Sequence, residues 1–131
     1  VIENRGRVLL IEDEPELLDT LAYLLESEGY AVSQAVDGEQ ALALAREIAP
    51  DLVLCDFNLP GRSGADVVAR VRELRPSARI IVMSGHLGAT QQAQCAEAGA
   101  TGFLAKPFTV VQLRVALELA PLRGPDDVPS L

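Results

Sequence analysis

Five side chains in this sequence could do chemistry together: Glu12, Asp13, Asp56, Ser84 and Lys106. Each follows a short apolar run. Glu12-Asp13 comes after RVLLI, Asp56 after DLVLC, Ser84 after RIIVM, and Lys106 closely after TGFL. Each has an ordinary explanation when taken singly. The acidic pair could complement a helix dipole, Asp56 could be a turn residue, Ser84 a loop hydroxyl and Lys106 a solvated amine. Gathered at one edge they make a different proposition. Three packed carboxylates repel, and at least one would resist ionisation. A bound Mg2+ removes that conflict, because it is a hard cation with octahedral oxygen ligands that keeps room for water and phosphate oxygens. Asp13 and Asp56 can supply ligands, and a backbone carbonyl just past Asp56 a third. Asp56 can then act as a carboxylate nucleophile that forms an aspartyl-phosphate, with Lys106 and Ser84 binding the phosphoryl oxygens.

The elements that would position these groups are legible from hydrophobic patterning. Arg7–Ile11, Asp51–Cys55 and Arg79–Met83 are apolar on both faces, as strands covered on both sides of a parallel sheet should be. Tyr30–Ala35 and Thr101–Leu104 complete five predicted strands. Between them lie helical patterns. Pro15 opens the first, which Gly29 ends. Asp37-Gly38 opens a second, closed before Pro50, and residues 65–74 and 89–98 form the third and fourth. Thr109 caps a fifth that runs to about Ala120 and stops at Pro121. Strict alternation predicts an α/β domain with right-handed crossovers, helices on both faces of a five-stranded parallel sheet, and a flavodoxin-like order 2-1-3-4-5. The open-sheet rule then places the site at the carboxyl ends of the strands, near the switch point between strands 1 and 3. That placement does not use the polar residues, yet it lands on them. The expected division is an N-terminal extension over 1–6, one domain over 7–120 and a tail or linker over 121–131.

Composition excludes several classes. A length of 131 residues suits one domain that needs no disulfide or metal staple. Aromatics make up only 4%, so the core must be aliphatic. A net charge of −8 argues against direct nucleic-acid contact by this segment. No apolar run approaches the roughly 20 residues that cross a bilayer, and no signal peptide is visible. Cys55 and Cys95 fit no metal spacing, and Cys55 reads as a buried small hydrophobe. A reducing, cytoplasmic setting is the expectation. The chain begins with Val1 rather than Met, which fits a piece of a longer chain as well as missing or processed residues.

From about residue 7 to 120 the sequence resembles the receiver domains of two-component signalling. The resemblance rests on Glu12-Asp13-Glu14-Pro15, Asp37-Gly38-Glu39-Gln40-Ala41-Leu42, Asp51 to Asp56 with Leu59-Pro60-Gly61 and Ser63-Gly64, Ser84-Gly85, and Lys106-Pro107-Phe108. It implies that Asp56 is the phosphoacceptor, that Asp13 ligates Mg2+ directly and Glu12 through water, and that the Asn58 carbonyl is the third protein ligand. Ser84 would hydrogen-bond the phosphoryl group and Lys106 would pair with it. Phe103 falls at the aromatic switch position, and Lys106-Pro107 is expected to be cis. Three departures stand out: Glu12 where Asp is commoner, Ser84 for the more usual Thr, and Phe103 without the hydroxyl of a Tyr. His86 and Asn58 are candidates for flanking the phosphoryl group and setting its hydrolysis.

The resemblance also implies partners: a histidine kinase or a histidine phosphotransfer protein as donor, and a phosphorylation-dependent dimer through the face of helix 4, strand 5 and helix 5. It describes a switch rather than an enzyme, apart from self-phosphotransfer and slow autodephosphorylation. Three rivals remain in view. An aspartyl-phosphate phosphatase of the haloacid-dehalogenase kind needs D-x-D after the first strand, where this chain has Glu12-Asp13-Glu14. A nucleotide- or flavin-binding module needs a longer glycine loop than Gly61-Arg62-Ser63-Gly64. A pseudo-receiver that only docks would not need the acidic, hydroxyl and lysine set. A stand-alone regulator, a hybrid-kinase receiver and a receiver cut from a longer regulator are all open, and the Met83-Ser84-Gly85-His86 stretch resembles hybrid-kinase receivers.

Overall fold

A computed structural model describes residues 5–119. The described residues form five strands and five helices in strict alternation: β1 Gly6–Ile11, α1 Pro15–Ser27, β2 Tyr30–Ala35, α2 Gly38–Ile48, β3 Leu52–Asp56, α3 Gly64–Leu74, β4 Arg79–Ser84, α4 Ala89–Ala98, β5 Gly102–Ala105 and α5 Val110–Leu119. The sheet order is β2-β1-β3-β4-β5 and every pairing is parallel, as expected. Residues 1–4 of the expected extension, the end of the last helix at Ala120-Pro121 and the tail over 121–131 lie outside the described residues, while Gly6, expected in that extension, opens β1.

Strand parity sorts the core into two halves. Leu9, Ile11, Val53, Cys55, Ile80 and Val82 face α2, α3 and α4, while Val8, Leu10, Leu52, Leu54, Ile81, Met83 and Leu104 face α1 and α5. Both faces are covered, which is why the central strands read as continuous apolar runs. Three of the helix starts follow from side-chain caps: Asp37 accepts from the Gln40 amide at 2.8 Å, Ser63 from the Asp66 amide at 3.1 Å, and Thr109 does the same for α5. Thr109 and Gln112 cap reciprocally, at 3.1 and 2.8 Å. At the opposite edge, arginines donate to the last carbonyls of the helices. Arg7 reaches Ile48 at 2.9 Å, Arg72 reaches Gly99 at 2.7 Å and Arg79 reaches Leu117 at 3.0 Å. Each of these three arginines thus sits where a helix dipole is negative. No helix among the described residues is long and apolar enough to cross a membrane.

Candidate functional site

The site forms because β1 and β3 are neighbours. Ile11 pairs with Cys55, so the next residues, Glu12 and Asp56, emerge level with each other. The Glu12 amide donates to the Ala35 carbonyl at 3.0 Å, which keeps Glu12 in the sheet and 1% exposed, while Asp13 turns outward. Carboxylate oxygens of Glu12, Asp13 and Asp56 lie within 4.8 Å of one another. Asp56 continues the Leu52–Leu54 row and Lys106 the Leu104 row, so both project toward the α1–α5 side. The Lys106 amide donates to the Ser84 carbonyl at 2.9 Å and carries the ladder one residue past β5. From there the ammonium reaches Glu12 Oε1 at 2.7 Å and Asp56 Oδ1 at 3.3 Å. The other Glu12 oxygen accepts from the Glu14 amide at 3.2 Å.

The electrostatics follow from burial. Desolvation, then the charge of Glu12, pushes the Asp56 carboxyl above its usual range; Lys106 and the Asn58 backbone N–H recover only part of that. For Lys106, burial pulls the ammonium down. The hydrogen bond to Glu12 and the charges of Asp56 and Glu12 outweigh it, and the net direction is upward. Cys55, buried beside Asp56, has its thiol pushed far up, first by desolvation and then by the neighbouring carboxylate, so it stays protonated and serves as core. One amine therefore faces two buried acids, with the exposed Asp13 beside them. That arrangement has the oxygen-donor chemistry of a site for a hard divalent cation.

The loop after Asp56 closes tightly. The Gly64 amide donates to the Phe57 carbonyl at 2.8 Å, and Asn58 bridges to Ser63. A Cβ on Gly64 would sit 2.5 Å from Phe57 Cα and 2.8 Å from Phe57 O, both backbone atoms that cannot rotate away. Gly64→Ala is therefore expected to cost about 1–3 kcal/mol through backbone displacement. It should also weaken divalent-cation binding, with thermal melts and Mg2+ titration as the paired checks.

The other expected residues take distinct places. Ser84 ends β4, is 1% exposed and accepts from the His86 amide at 3.0 Å through its hydroxyl. Asn58 is exposed, and its backbone N–H lies toward the Asp56 carboxylate and favours the charged form. Phe103 is half-buried opposite Val82, against the α2–α4 core. The His86 side chain is exposed in the loop before α4. Lys106-Pro107 is cis. Sequence reasoning aimed Lys106 at an incoming group and missed its direct ion pair with Glu12, 94 residues away. It also missed Arg62, whose guanidinium joins Glu39 and Asp66 at 2.7 and 2.6 Å. Only the Arg62–Asp66 spacing was a readable signal.

Comparison with known proteins agrees with this architecture. A family model described as the response regulator receiver domain matches residues 8–118. The alginate biosynthesis transcriptional regulatory protein AlgB of Pseudomonas aeruginosa is 38% identical over 114 residues, which cover 87% of this chain and 25% of that protein. The chain thus spans about a quarter of the length of that regulator. The structure of Vibrio cholerae chemotaxis protein CheY4 superposes with a TM-score of 0.84 at 28% identity, covering 88% of this chain and 98% of that one. A response regulator from Burkholderia pseudomallei, solved with a phosphorylated aspartic acid, a calcium ion and citrate, gives 0.80 at 36% identity, covering 85% of this chain and 65% of that one. With the strand order, the acidic pocket at the β1–β3 switch point and a family match over nearly the whole described length, the chain belongs to the response regulator receiver domains of two-component systems.

Proposed function

We propose that this domain is a phosphorylation switch in which Asp56 takes a phosphoryl group from a phosphohistidine, with Mg2+ at the acidic pocket. The observation that carries the reading is the convergence of Glu12, Asp13 and Asp56 within 4.8 Å, with Lys106 on the first and last of them. Asp13, Asp56 and the Asn58 carbonyl would hold the cation, and Glu12 would reach it through water. When bound, the cation supplies charge neutralisation for the phosphoryl oxygens. The Asp56 oxygen attacks phosphorus, the P–N bond to the donor imidazole breaks, and the imidazole leaves with a proton. Lys106 exchanges carboxylate contacts for the arriving phosphoryl oxygens, and the Ser84 hydroxyl donates to another of them.

The donor is a histidine kinase or histidine phosphotransfer protein. Ser84 and Phe103 respond to the new group, and a partner must bind the two states differently for a signal to pass. His86 and Asn58 flank the pocket mouth and tune hydrolysis. The face of α4, β5 and α5 is the dimer surface; the exposure of Val111 and Val115 on α5 supports it, at 66% and 45%. The central test is labelling by a small phosphodonor such as acetyl phosphate with Mg2+. Wild type should label and Asp56→Asn should lose essentially all label; equal labelling of both would sink the proposal.

A further inference from the structure

The loop between Asp56 and α3 is closed at its ends, at Phe57–Gly64 and Asn58–Ser63, but its outer turn needs its own anchors. Gly61, at φ +80°, would meet nothing within 4 Å if it carried a Cβ, so it anchors nothing. Leu59 packs into the α2–α4 core. Arg62 is the polar anchor. Its Nε contacts Glu39 in the first turn of α2, and its Nη1 contacts Asp66 in the first turn of α3. Its stem lies on Gly38, where a Cβ would fall 2.9 Å from Arg62 Cδ and 3.3 Å from Arg62 Cβ. Gly38 leaves room for this contact, and the Arg62 side chain is only 29% exposed as a result.

We infer that Arg62 is a positioning residue for Asp56: by tying the loop to the starts of α2 and α3 it holds the Asn58 backbone against the Asp56 carboxylate. The functional half of this inference rests on reading Asp56 as the phosphoacceptor. Glu39 and Asp66 are 76% and 47% exposed, so these ion pairs contribute little to global stability. Their effect is on loop position, and a displacement there carries directly to Asn58, four residues back. A merely decorative surface pair would leave Asn58 untouched.

The first measurement is backbone amide exchange by NMR on the metal-free domain, for wild type, Arg62→Met, Arg62→Lys and Glu39→Gln. Arg62→Met keeps the stem on Gly38 and removes the charge. Protection of the Asn58 amide should fall about tenfold in Arg62→Met while Val53 and Leu54 in β3 stay unchanged. Arg62→Lys should recover part of the loss. Glu39→Gln, on an exposed position that does not threaten folding, should reproduce a smaller loss. The second measurement is Mg2+ affinity by calorimetry, which should weaken about tenfold in Arg62→Met. Unchanged Asn58 protection in both Arg62→Met and Glu39→Gln overturns the positioning role, whatever the Mg2+ result. Lost protection with unchanged Mg2+ affinity overturns its functional consequence. If wild type itself binds no Mg2+, the cation reading fails, and the exchange data still decide the role of Arg62.

Discussion

Replacing Lys106 with Met is expected to lower the melting temperature of the metal-free domain at neutral pH by about 10 °C, corresponding to roughly 2–4 kcal/mol. Glu12 is 1% exposed and Asp56 5%, and the ammonium lies 2.7 and 3.3 Å from them. Removing it leaves two buried carboxylates side by side without a cation. The penalty comes from stranded charge rather than lost packing, since Met fills most of the same volume. No other ε-amine can take over, because Lys106 is the only lysine in the sequence. Two rescues identify the cause. Mild acid should return part of the stability, because protonating either carboxylate removes the repulsion. Glu12→Gln in the Lys106→Met background should cost far less than the sum of the two single changes, because the two residues share one contact. A melting temperature within about 2 °C of wild type, well below the shift that such a loss implies, would show that water already solvates the pocket.

Why the sequence revealed some of this and not the rest follows from distance along the chain. β1, β3 and β4 were legible because strands covered on both faces need apolar residues at every position. Their carboxyl ends were read one residue short at β3 and β4. Asp56 and Ser84 are polar, yet their backbones remain in the ladder, as the bonds from Phe57 N to Met83 O and from Lys106 N to Ser84 O show. Thr101 was expected inside the last strand, which instead begins at Gly102. The Thr101 amide still donates to the Ile80 carbonyl at 2.7 Å, but the Ile80 amide donates to the Thr101 hydroxyl at 2.8 Å, so a side-chain oxygen stands where a backbone acceptor would continue the ladder. The gathering of Glu12, Asp13, Asp56 and Lys106 could be anticipated because topology alone brings strand ends together. The partner chosen by Lys106 could not. With two carboxylates in reach, that choice depends on where the packed pocket places each oxygen. The pairing of Arg62 with Glu39 was illegible for the same reason, since Glu39 lies 23 residues away in α2.

Asp56→Asn should act in the opposite direction to the lysine change, and the sign can be worked out. Burial and the neighbouring Glu12 hold the Asp56 carboxyl above its ordinary value in the metal-free fold. Between the unfolded value, about 3.9, and that raised native value, the folded state binds the proton that the unfolded chain has released. Stability therefore falls as pH rises through this window, and the full loss persists above it. At neutral pH the wild-type domain carries that penalty and the Asn variant does not, so the variant should melt a few degrees higher without metal. Mg2+ should reverse the order. A cation that binds only the folded protein stabilises it by about 1.4 kcal/mol at ten times its dissociation constant, and the variant, short of one carboxylate ligand, should gain much less. Thermal melts at acid and neutral pH, with and without Mg2+, give the four points needed. A variant that melts below wild type without metal, or that gains the same increment from Mg2+, would show that Asp56 neither suffers from Glu12 nor serves the cation. Joining both substitutions, Lys106→Met with Asp56→Asn, should restore much of what the lysine change removes, since the pocket then holds a single buried acid in place of two.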